Sequence, residues 1–398
     1  MLVIRSRRIK SIFNNDNTGN NMQLSLQGWN LQRVNHYKYL GVILQDDGRS
    51  NVHNDYLLGK MRRSAYNICR FIRPTTHPKV IYSLIKSVLI PQLTYSLPFI
   101  QLTKQYINKF ESTILLPLRR SFGLPISTHK LSVQAELNIA PIDILQSTLQ
   151  IRTLTCLMHP KSPQNTITKN VISYQWNAAI DYAELHMQLP HNIDLNPQLY
   201  RGSTLLNRML MSCFAIPINP TNYSIEMEPT FTKLLKDSMK QQTYYRWHHS
   251  NNGGELLKTL KNDFGLSEVI KMTDMNFQRA RTRWRMHRSP IASHQHRMNM
   301  VDSPTCRQCR TTPRSNETDQ HALLECSKHR RIRSDMLNAL QARIPDITLS
   351  IPLLLDHKDT IEKYAGSSRK AKKFLYNSTG QFITLLCENR VEHVTQIR

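Results

Sequence analysis

The chain has 398 residues, which is enough for two or three domains with hydrophobic cores of their own. Apolar residues make up 40% of the sequence and only 12 positions are glycine, a composition that favours an ordered, helix-rich protein and excludes a disordered tail. With 53 lysines and arginines against 28 acidic residues, the net charge is +25, which predicts nucleic acid as the partner and argues against a membrane surface or a small-molecule substrate.

The predicted elements change type near residue 50. Residues 2–4, 23–27 and 37–44 are apolar or aromatic runs between turn-rich segments, which predicts three short strands. Beyond them, the apolar spacing predicts the helices 55–73, 78–90, 104–122 and 127–149, the last of them broken near Pro141. One lysine, one glutamine and two prolines interrupt the apolar stretch 81–100, so we expect a buried, kinked helix there instead of a membrane span.

The predicted helix 55–73 is amphipathic. Apolar side chains recur every three or four residues on one side, and four arginines fall on the other: Arg62, Arg63, Arg70 and Arg73. A charged stripe of this kind is usually a solvated face. Because all its charges are positive, we favour a phosphate-facing helix, with Lys60, Arg62 and Arg63 as the candidate contacts.

Composition divides the chain into consecutive segments, with polar, proline-bearing boundaries at 189–199 and 216–229. We predict strands at 1–48, a helical domain at 49–188, a helical connector at 189–272, a basic helix with a zinc module at 273–345 and a helical tail at 346–398. The tail contains the basic cluster 369–373, which is either a nuclear signal or, more commonly, a set of solvated lysines.

The cysteines number seven, and an odd number argues against a complete disulfide framework. It favours a reduced, intracellular protein. Of the intracellular compartments we expect the nucleus, with the cytoplasm as the alternative. Four cysteines are scattered among apolar neighbours and are predicted to be buried thiols: Cys69, Cys156, Cys213 and Cys387.

The other three cysteines belong to the sharpest motif in the sequence. Cys306 and Cys309 form a Cys-x-x-Cys turn, which can direct two sulfurs to one point, and His321 and Cys326 follow on a predicted helix. Four such ligands suit a structural, tetrahedral zinc ion with no open position. His329 is an alternative to His321 as the ligand. We favour zinc over an accidental Cys-x-x-Cys beside a surface histidine, because the context is basic and a second pair of ligands matches the first.

Just upstream, residues 277–288 combine aromatic and basic side chains. Phe277, Ala280 and Trp284 share one side of a predicted helix, with arginines flanking them. Guanidinium groups suit phosphates and aromatic rings can stack on bases, so we favour nucleic-acid contacts over a solvated rim around core aromatics. The candidate contacts are Arg279, Arg281, Arg283, Arg285 and Arg288.

No motif indicates catalysis. A polymerase gathers carboxylates around two metal ions. The only adjacent aspartate pair, Asp46-Asp47, lacks a preceding aromatic residue and a strand with a third carboxylate, so we interpret it as a turn. We therefore assign no catalytic residue, and whether the protein is an enzyme stays open.

Several segments occur in a specific order along the chain: residues 2–8 and 37–44, then 81–96 and 118–125, and finally the four cysteine and histidine ligands. In this order they resemble the palm end, the thumb and the terminal zinc knuckle of the reverse transcriptases of non-LTR (LINE-type) retrotransposons. In that family the Lys-Tyr-Leu-Gly-Val strand, here residues 38–42, belongs to the hairpin that grips the primer end.

The resemblance implies a mainly α (α+β) chain with a small amino-terminal β remnant of a polymerase palm, a helical thumb-like domain, a helical connector and a zinc knuckle. It implies binding of an RNA template, an RNA–DNA duplex or target DNA by a fragment of an RNA-directed DNA polymerase. The catalytic aspartates of the palm have no counterpart here, so Mg²⁺ and polymerisation would require the missing palm. The rival interpretation is a domesticated or decayed copy whose zinc module binds a protein.

Overall fold

The computed structural model describes residues 25–26, 29–30, 34–73, 76–158, 228–250, 254–309 and 315–395. These residues are mostly helical, and within them the named strands all precede residue 46. The expected mainly α class is therefore confirmed. The predicted strand 2–4, Cys213, the boundary 189–199 and most of the boundary 216–229 lie outside the described residues.

The strands form two antiparallel pairs, β1 (Ser25–Leu26) with β2 (Trp29–Asn30) and β3 (His36–Tyr39) with β4 (Val42–Gln45). The prediction of one strand over 37–44 was wrong, because the chain reverses in the middle of that run. Leu40 and Gly41 form the two-residue turn with φ of 45° and 84°, a left-handed backbone that glycine adopts without strain. Asp46 and Asp47 lie in a turn after β4, as predicted.

The α-helices follow in chain order. They are α1 (Asn51–Phe71), α2 (Pro78–Leu84), α3 (Ile90–Thr94), α4 (Lys104–Phe122), α5 (Lys130–Leu137), α6 (Ile142–Met158), α7 (Glu228–His248), α8 (Glu255–Leu260), α9 (Glu268–Met272), α10 (Met275–Arg285), α11 (Ala292–Arg297), α12 (Arg330–Gln341), α13 (Ile351–Leu354), α14 (Lys358–Ala365) and α15 (Arg369–Thr395). A π-helical turn, Ile85–Leu89, joins α2 to α3 ahead of Pro91. Within the described residues, no helix is both long and apolar enough to cross a membrane.

The described residues fall into two compact units that are interleaved along the sequence. The first comprises the residues up to Ser64, Ser87–Thr113 and Ala140–Gln242; the second comprises Ala65–Lys86, Ile114–Ile139 and the residues from Thr243 onward. Each unit thus draws on separate stretches, whereas composition suggested consecutive segments. The segment boundaries themselves stay a prediction.

The first unit is held together by buried apolar side chains and by side-chain hydrogen bonds to loop backbone. Gln146 on α6 donates its amide to the carbonyls of Leu97 and Ile100 at 3.0 and 2.9 Å. Glu111 on α4 accepts a hydrogen bond from Ile142 N, at the predicted break beside Pro141. Because these bonds satisfy loop and helix-end groups, they fix the segment between α3 and α4 against α6.

In the second unit, α10 packs closely against the long helix α15. The contact depends on Gly380 of α15, where an added Cβ would lie 2.8 Å from Phe277 Cβ. A distance under 3 Å is too short for two carbon atoms, so glycine allows the two helices to approach this closely.

We expect Gly380→Ala to destabilise the protein by about 1–3 kcal/mol, because the methyl group must push α10 and α15 apart. Gly59→Ala in α1 is the matched control, since nothing lies within 4 Å of its Cβ position, and it should stabilise by roughly 0.5–1 kcal/mol. Urea unfolding followed by circular dichroism compares the two. Equal effects of both substitutions would show that the helices are not in tight contact.

Candidate metal centre and basic surfaces

The four predicted zinc ligands come together in the second unit. Cys306, Cys309, His321 and Cys326 are all buried, and their ligand atoms lie within 4.8 Å of one another. Cys309 Sγ is 3.3 Å from His321 Nε2 and 3.6 Å from Cys326 Sγ, which is itself 4.0 Å from Cys306 Sγ. A tetrahedral zinc ion with bonds of about 2.0–2.3 Å separates its ligand atoms by roughly 3.4–3.8 Å, so the cluster fits the ion.

The local backbone explains how the ligands converge. Thr305 and Asn316 form an antiparallel bridge, which closes the loop that carries Cys306 and Cys309. His321 begins a π-helical turn, His321–Glu325, and Cys326 N donates to His321 O. Residues five apart diverge by about 140° in an α-helix, but the wider π turn brings them toward one side.

Groups around the cluster orient the ligands. Ser315 Oγ lies 3.1 Å from His321 Nδ1, which leaves Nε2 of that ring directed at the cysteines. Ser327 donates a hydrogen bond to Cys309 Sγ. The hydrogen bond between two of the thiols raises the pKa of Cys306 and lowers the pKa of Cys326.

With four protein ligands, the cluster can hold zinc as a structural ion and leaves no position for a reacting water. His329, the alternative ligand, is not a member of the cluster. Among the scattered cysteines, Cys69 and Cys387 are buried as predicted, but Cys156 is exposed and that prediction was wrong.

Two of the predicted phosphate contacts prove to be core residues. Arg281 and Arg285 are fully buried in the second unit and form ion pairs: Arg281 Nε lies 2.7 Å from Asp356 Oδ2, and Arg285 Nη2 lies 3.0 Å from Glu136 Oε2. Arg281 also donates to the carbonyl of Tyr376. Their assignment as nucleic-acid contacts was wrong, because no solvent-borne ligand reaches a guanidinium at 0–2% exposure.

The buried pairs also change the chemistry of their acids. Burial raises the pKa of Asp356 to about 6, an effect that the charges of Arg281 and Arg285 oppose. Lys261 lies nearby, donates to Ala135 O at 2.8 Å, and has its pKa lowered by burial to about 8. These groups form a buried charged network that the sequence did not reveal, since Glu136 and Arg285 are 149 residues apart.

The other arginines of this region are half-buried. Arg279 donates to Ser121 O, Arg283 to Arg288 O, and Arg288 to Ser127 O. Each therefore uses part of its guanidinium to hold the protein backbone and keeps part at the surface. Their role as phosphate contacts stays a prediction.

The basic residues of α1 are placed differently. Lys60, Arg62 and Arg63 are exposed, and all three belong to the first unit. Lys60 borders a groove of about 570 Å³ whose other polar lining includes Lys38, Tyr56 and Tyr95. Lys38 Nζ lies 5.1 Å from the centre of the Tyr56 ring, and no acidic residue is among the described residues that line the groove.

The basic cluster at 369–373 forms the first turns of α15. Lys372 is buried and lies 3.2 Å from Glu268 Oε2 and 3.7 Å from Glu362 Oε1, so it is not a free cation. Arg369, Lys370 and Lys373 are exposed. A nuclear signal here stays a prediction.

The fold brings together a second group of potential metal ligands that the sequence motifs did not predict. His287, His294 and Asp319 bring their ligand atoms within 4.8 Å of one another, close in sequence to the zinc-type cluster. Burial, and then the neighbouring His294, lowers the pKa of His287 to about 4. The protein has 16 histidines, so composition gave no reason to select these two; their proximity to the cysteine motif was the available signal.

Comparison with known proteins does not identify a family for this chain. No family model matches it, and no curated protein or solved structure does so. Function must therefore be inferred from the cysteine and histidine cluster, the basic groove and the charge of the chain.

Proposed function

We propose that the chain binds nucleic acid through the groove of the first unit, as the carboxy-terminal part of a protein resembling a non-LTR retrotransposon reverse transcriptase. The observation that carries the proposal is the groove itself, whose lining includes Lys38, Lys60 and two tyrosines and, among the described residues, no acidic side chain. Cations position phosphates, and exposed aromatic rings stack on bases without selecting a sequence.

The chemistry of the lining supports this choice of ligand. Tyr56 and Tyr95 are 42% and 62% exposed, so both rings are accessible. Tyr95 OH donates to Leu40 O, which fixes the turn of the β3–β4 hairpin at the edge of the groove. Arg62 and Arg63 follow Lys60 on α1, and both are exposed.

The proposal also assigns the parts of this chain to the parts of a reverse transcriptase. In this interpretation β1–β4 are the remnant of a palm, with the β3–β4 hairpin in the primer-gripping position, and the helices after residue 49 form the thumb-like domain. Zinc bound at the cysteine and histidine cluster would keep the surrounding module folded, so that the module can contact nucleic acid. Among the described residues no group of carboxylates could hold two metal ions, so the proposal includes no polymerisation.

The test is a salt titration. Replacing Lys60, Arg62 and Arg63 together by alanine should weaken binding to a single-stranded RNA and to a nicked RNA–DNA duplex. The slope of log K against log salt should fall by about one unit per lost phosphate contact, because each contact releases condensed counterions. Fluorescence anisotropy at several salt concentrations measures both quantities, and these exposed side chains can be removed without disturbing the core.

The matched control removes three positive charges from another exposed segment of the chain. Arg369, Lys370 and Lys373 are also exposed, and their replacement by alanine should leave the slope nearly unchanged. If both triple variants lose affinity equally, binding is a diffuse charge effect and the groove is not the site. Salt-insensitive behaviour of the unmodified chain would favour the rival role, a zinc-dependent module that binds a protein.

A further inference from the structure

The group formed by His287, His294 and Asp319 has the composition of a metal site. His287 Nδ1 lies 2.9 Å from His294 Nε2. Asp319 adds its carboxylate, with Oδ1 3.3 Å from His294 Nε2 and Oδ2 3.7 Å from His287 Nδ1. Two imidazoles and one carboxylate are a ligand set that zinc proteins use when the fourth position is left open.

The two contacts of Asp319 have lengths close to those expected between ligands of one metal ion. The contact between the two rings is a hydrogen bond, but both contacts to Asp319 exceed the usual range for N–H···O bonds. Asp319 also accepts a hydrogen bond from the side chain of Trp284, a contact of the kind that orients a ligating carboxylate. A tetrahedral zinc ion separates nitrogen and oxygen ligands by roughly 3.3–3.5 Å. The contacts of Asp319 are close to this range, and the two rings, 2.9 Å apart, would have to move slightly apart to admit the ion.

The backbone holds the two histidines in place from separate elements. His287 follows Met286, the C-cap residue of α10, and its φ of 51° is the left-handed conformation that usually favours glycine after a helix. Keeping a histidine there costs on the order of 1 kcal/mol relative to glycine. His294 lies on α11, where its Nδ1 is 2.7 Å from Ser289 Oγ.

We propose that His287, His294 and Asp319 hold a second zinc ion beside the cysteine and histidine cluster. The ligand atoms are His287 Nδ1, His294 Nε2 and the carboxylate of Asp319. Upon binding, the ring proton of His294 lies on Nδ1 and is donated to Ser289 Oγ, which fixes the required tautomer. Imidazole ligands favour zinc over magnesium or calcium.

The second ion would differ from the first in coordination, because the protein supplies only three ligands. The side chains of His287 and Asp319 are 20% and 17% exposed, so the fourth position opens to solvent. Because Asp319 belongs to the segment between Cys309 and His321, the ion ties the cysteine and histidine cluster to the end of α10. This inference does not depend on nucleic-acid binding.

The test measures metal content on the full chain, prepared without a histidine tag and desalted after zinc loading. We expect two zinc ions per unmodified chain and one in His287→Gln and in Asp319→Asn. His296→Gln is the matched control, since His296 is an exposed histidine on the same short helix as His294, and it should retain two.

Cobalt substitution assigns each ion. The cysteine cluster gives an intense thiolate-to-cobalt absorption, whereas two nitrogens and a carboxylate give only weak bands. An unchanged thiolate band in Asp319→Asn shows that the cluster is still folded while the second ion is lost. One zinc per unmodified chain, or two in both site variants, would overturn the proposal.

Discussion

Replacing Cys326 by serine should remove the structural zinc ion and unfold the module around it. A serine hydroxyl is not a zinc ligand of comparable strength, and three remaining ligands leave the ion exposed to exchange. Zinc binding contributes about 10–16 kcal/mol in small zinc domains, and that free energy is coupled to folding. The described core near this cluster is small: the three buried cysteines form a cluster of their own.

The measurement combines zinc content with limited proteolysis. We expect the variant to hold one zinc ion fewer and to be cleaved rapidly between residues 300 and 330, whereas the unmodified chain resists. Adding a chelator to the unmodified chain should reproduce this pattern. Cys156→Ser is the control, because Cys156 is an exposed thiol outside the cluster, and it should change neither result. Full zinc content in the Cys326 variant would disprove the assignment.

Arg285→Met should destabilise the protein by about 3–5 kcal/mol, the cost of leaving one member of a buried ion pair without its partner. Arg285 and Glu136 are 2% and 1% exposed and 3.0 Å apart, so water cannot solvate the Glu136 carboxylate once the arginine is removed. A loss of this size approaches the whole stability of many domains, which is about 5–15 kcal/mol. Chemical unfolding measures it directly.

A double-mutant cycle separates the pair from the packing. Glu136→Met alone should be similarly harmful, but the double variant should recover most of the loss, because two apolar side chains need no partner charge. Arg62→Met is the control on an exposed arginine and should change stability by no more than about 0.5 kcal/mol. If Arg285→Met kept its stability and lost only nucleic-acid affinity, Arg285 would be a surface contact after all.

Sequence reasoning located the features that depend on local spacing. The helix 104–122 begins and ends where predicted, because apolar side chains at steps of three and four define a helical face regardless of what covers it. The break at Pro141 and the turn at Asp46-Asp47 follow from residue chemistry in the same way. The four predicted zinc ligands lie within 21 residues, so their spacing alone brought them into one hypothesis.

Local patterns also led to wrong predictions of strand bounds and of burial. Residues 37–44 have the composition of a strand, but Gly41 permits a tight reversal, and pairing of the two halves favours the hairpin. Phe71 belongs to the apolar side of α1 by spacing, yet it is 75% exposed. A periodic pattern shows which residues share a side of a helix, and only the surrounding elements decide whether that side is covered.

The tertiary structure alone decided which basic residues are available to a ligand. Arg281, Arg283 and Arg285 are chemically equivalent in the sequence, but two of them meet Asp356 and Glu136 in the core. The sequence by itself determined the net charge, the helical class and the zinc-ligand motif, because each follows from composition or short spacing. The buried ion pairs and the group formed by His287, His294 and Asp319 needed the fold, because their members meet only when separate segments pack together.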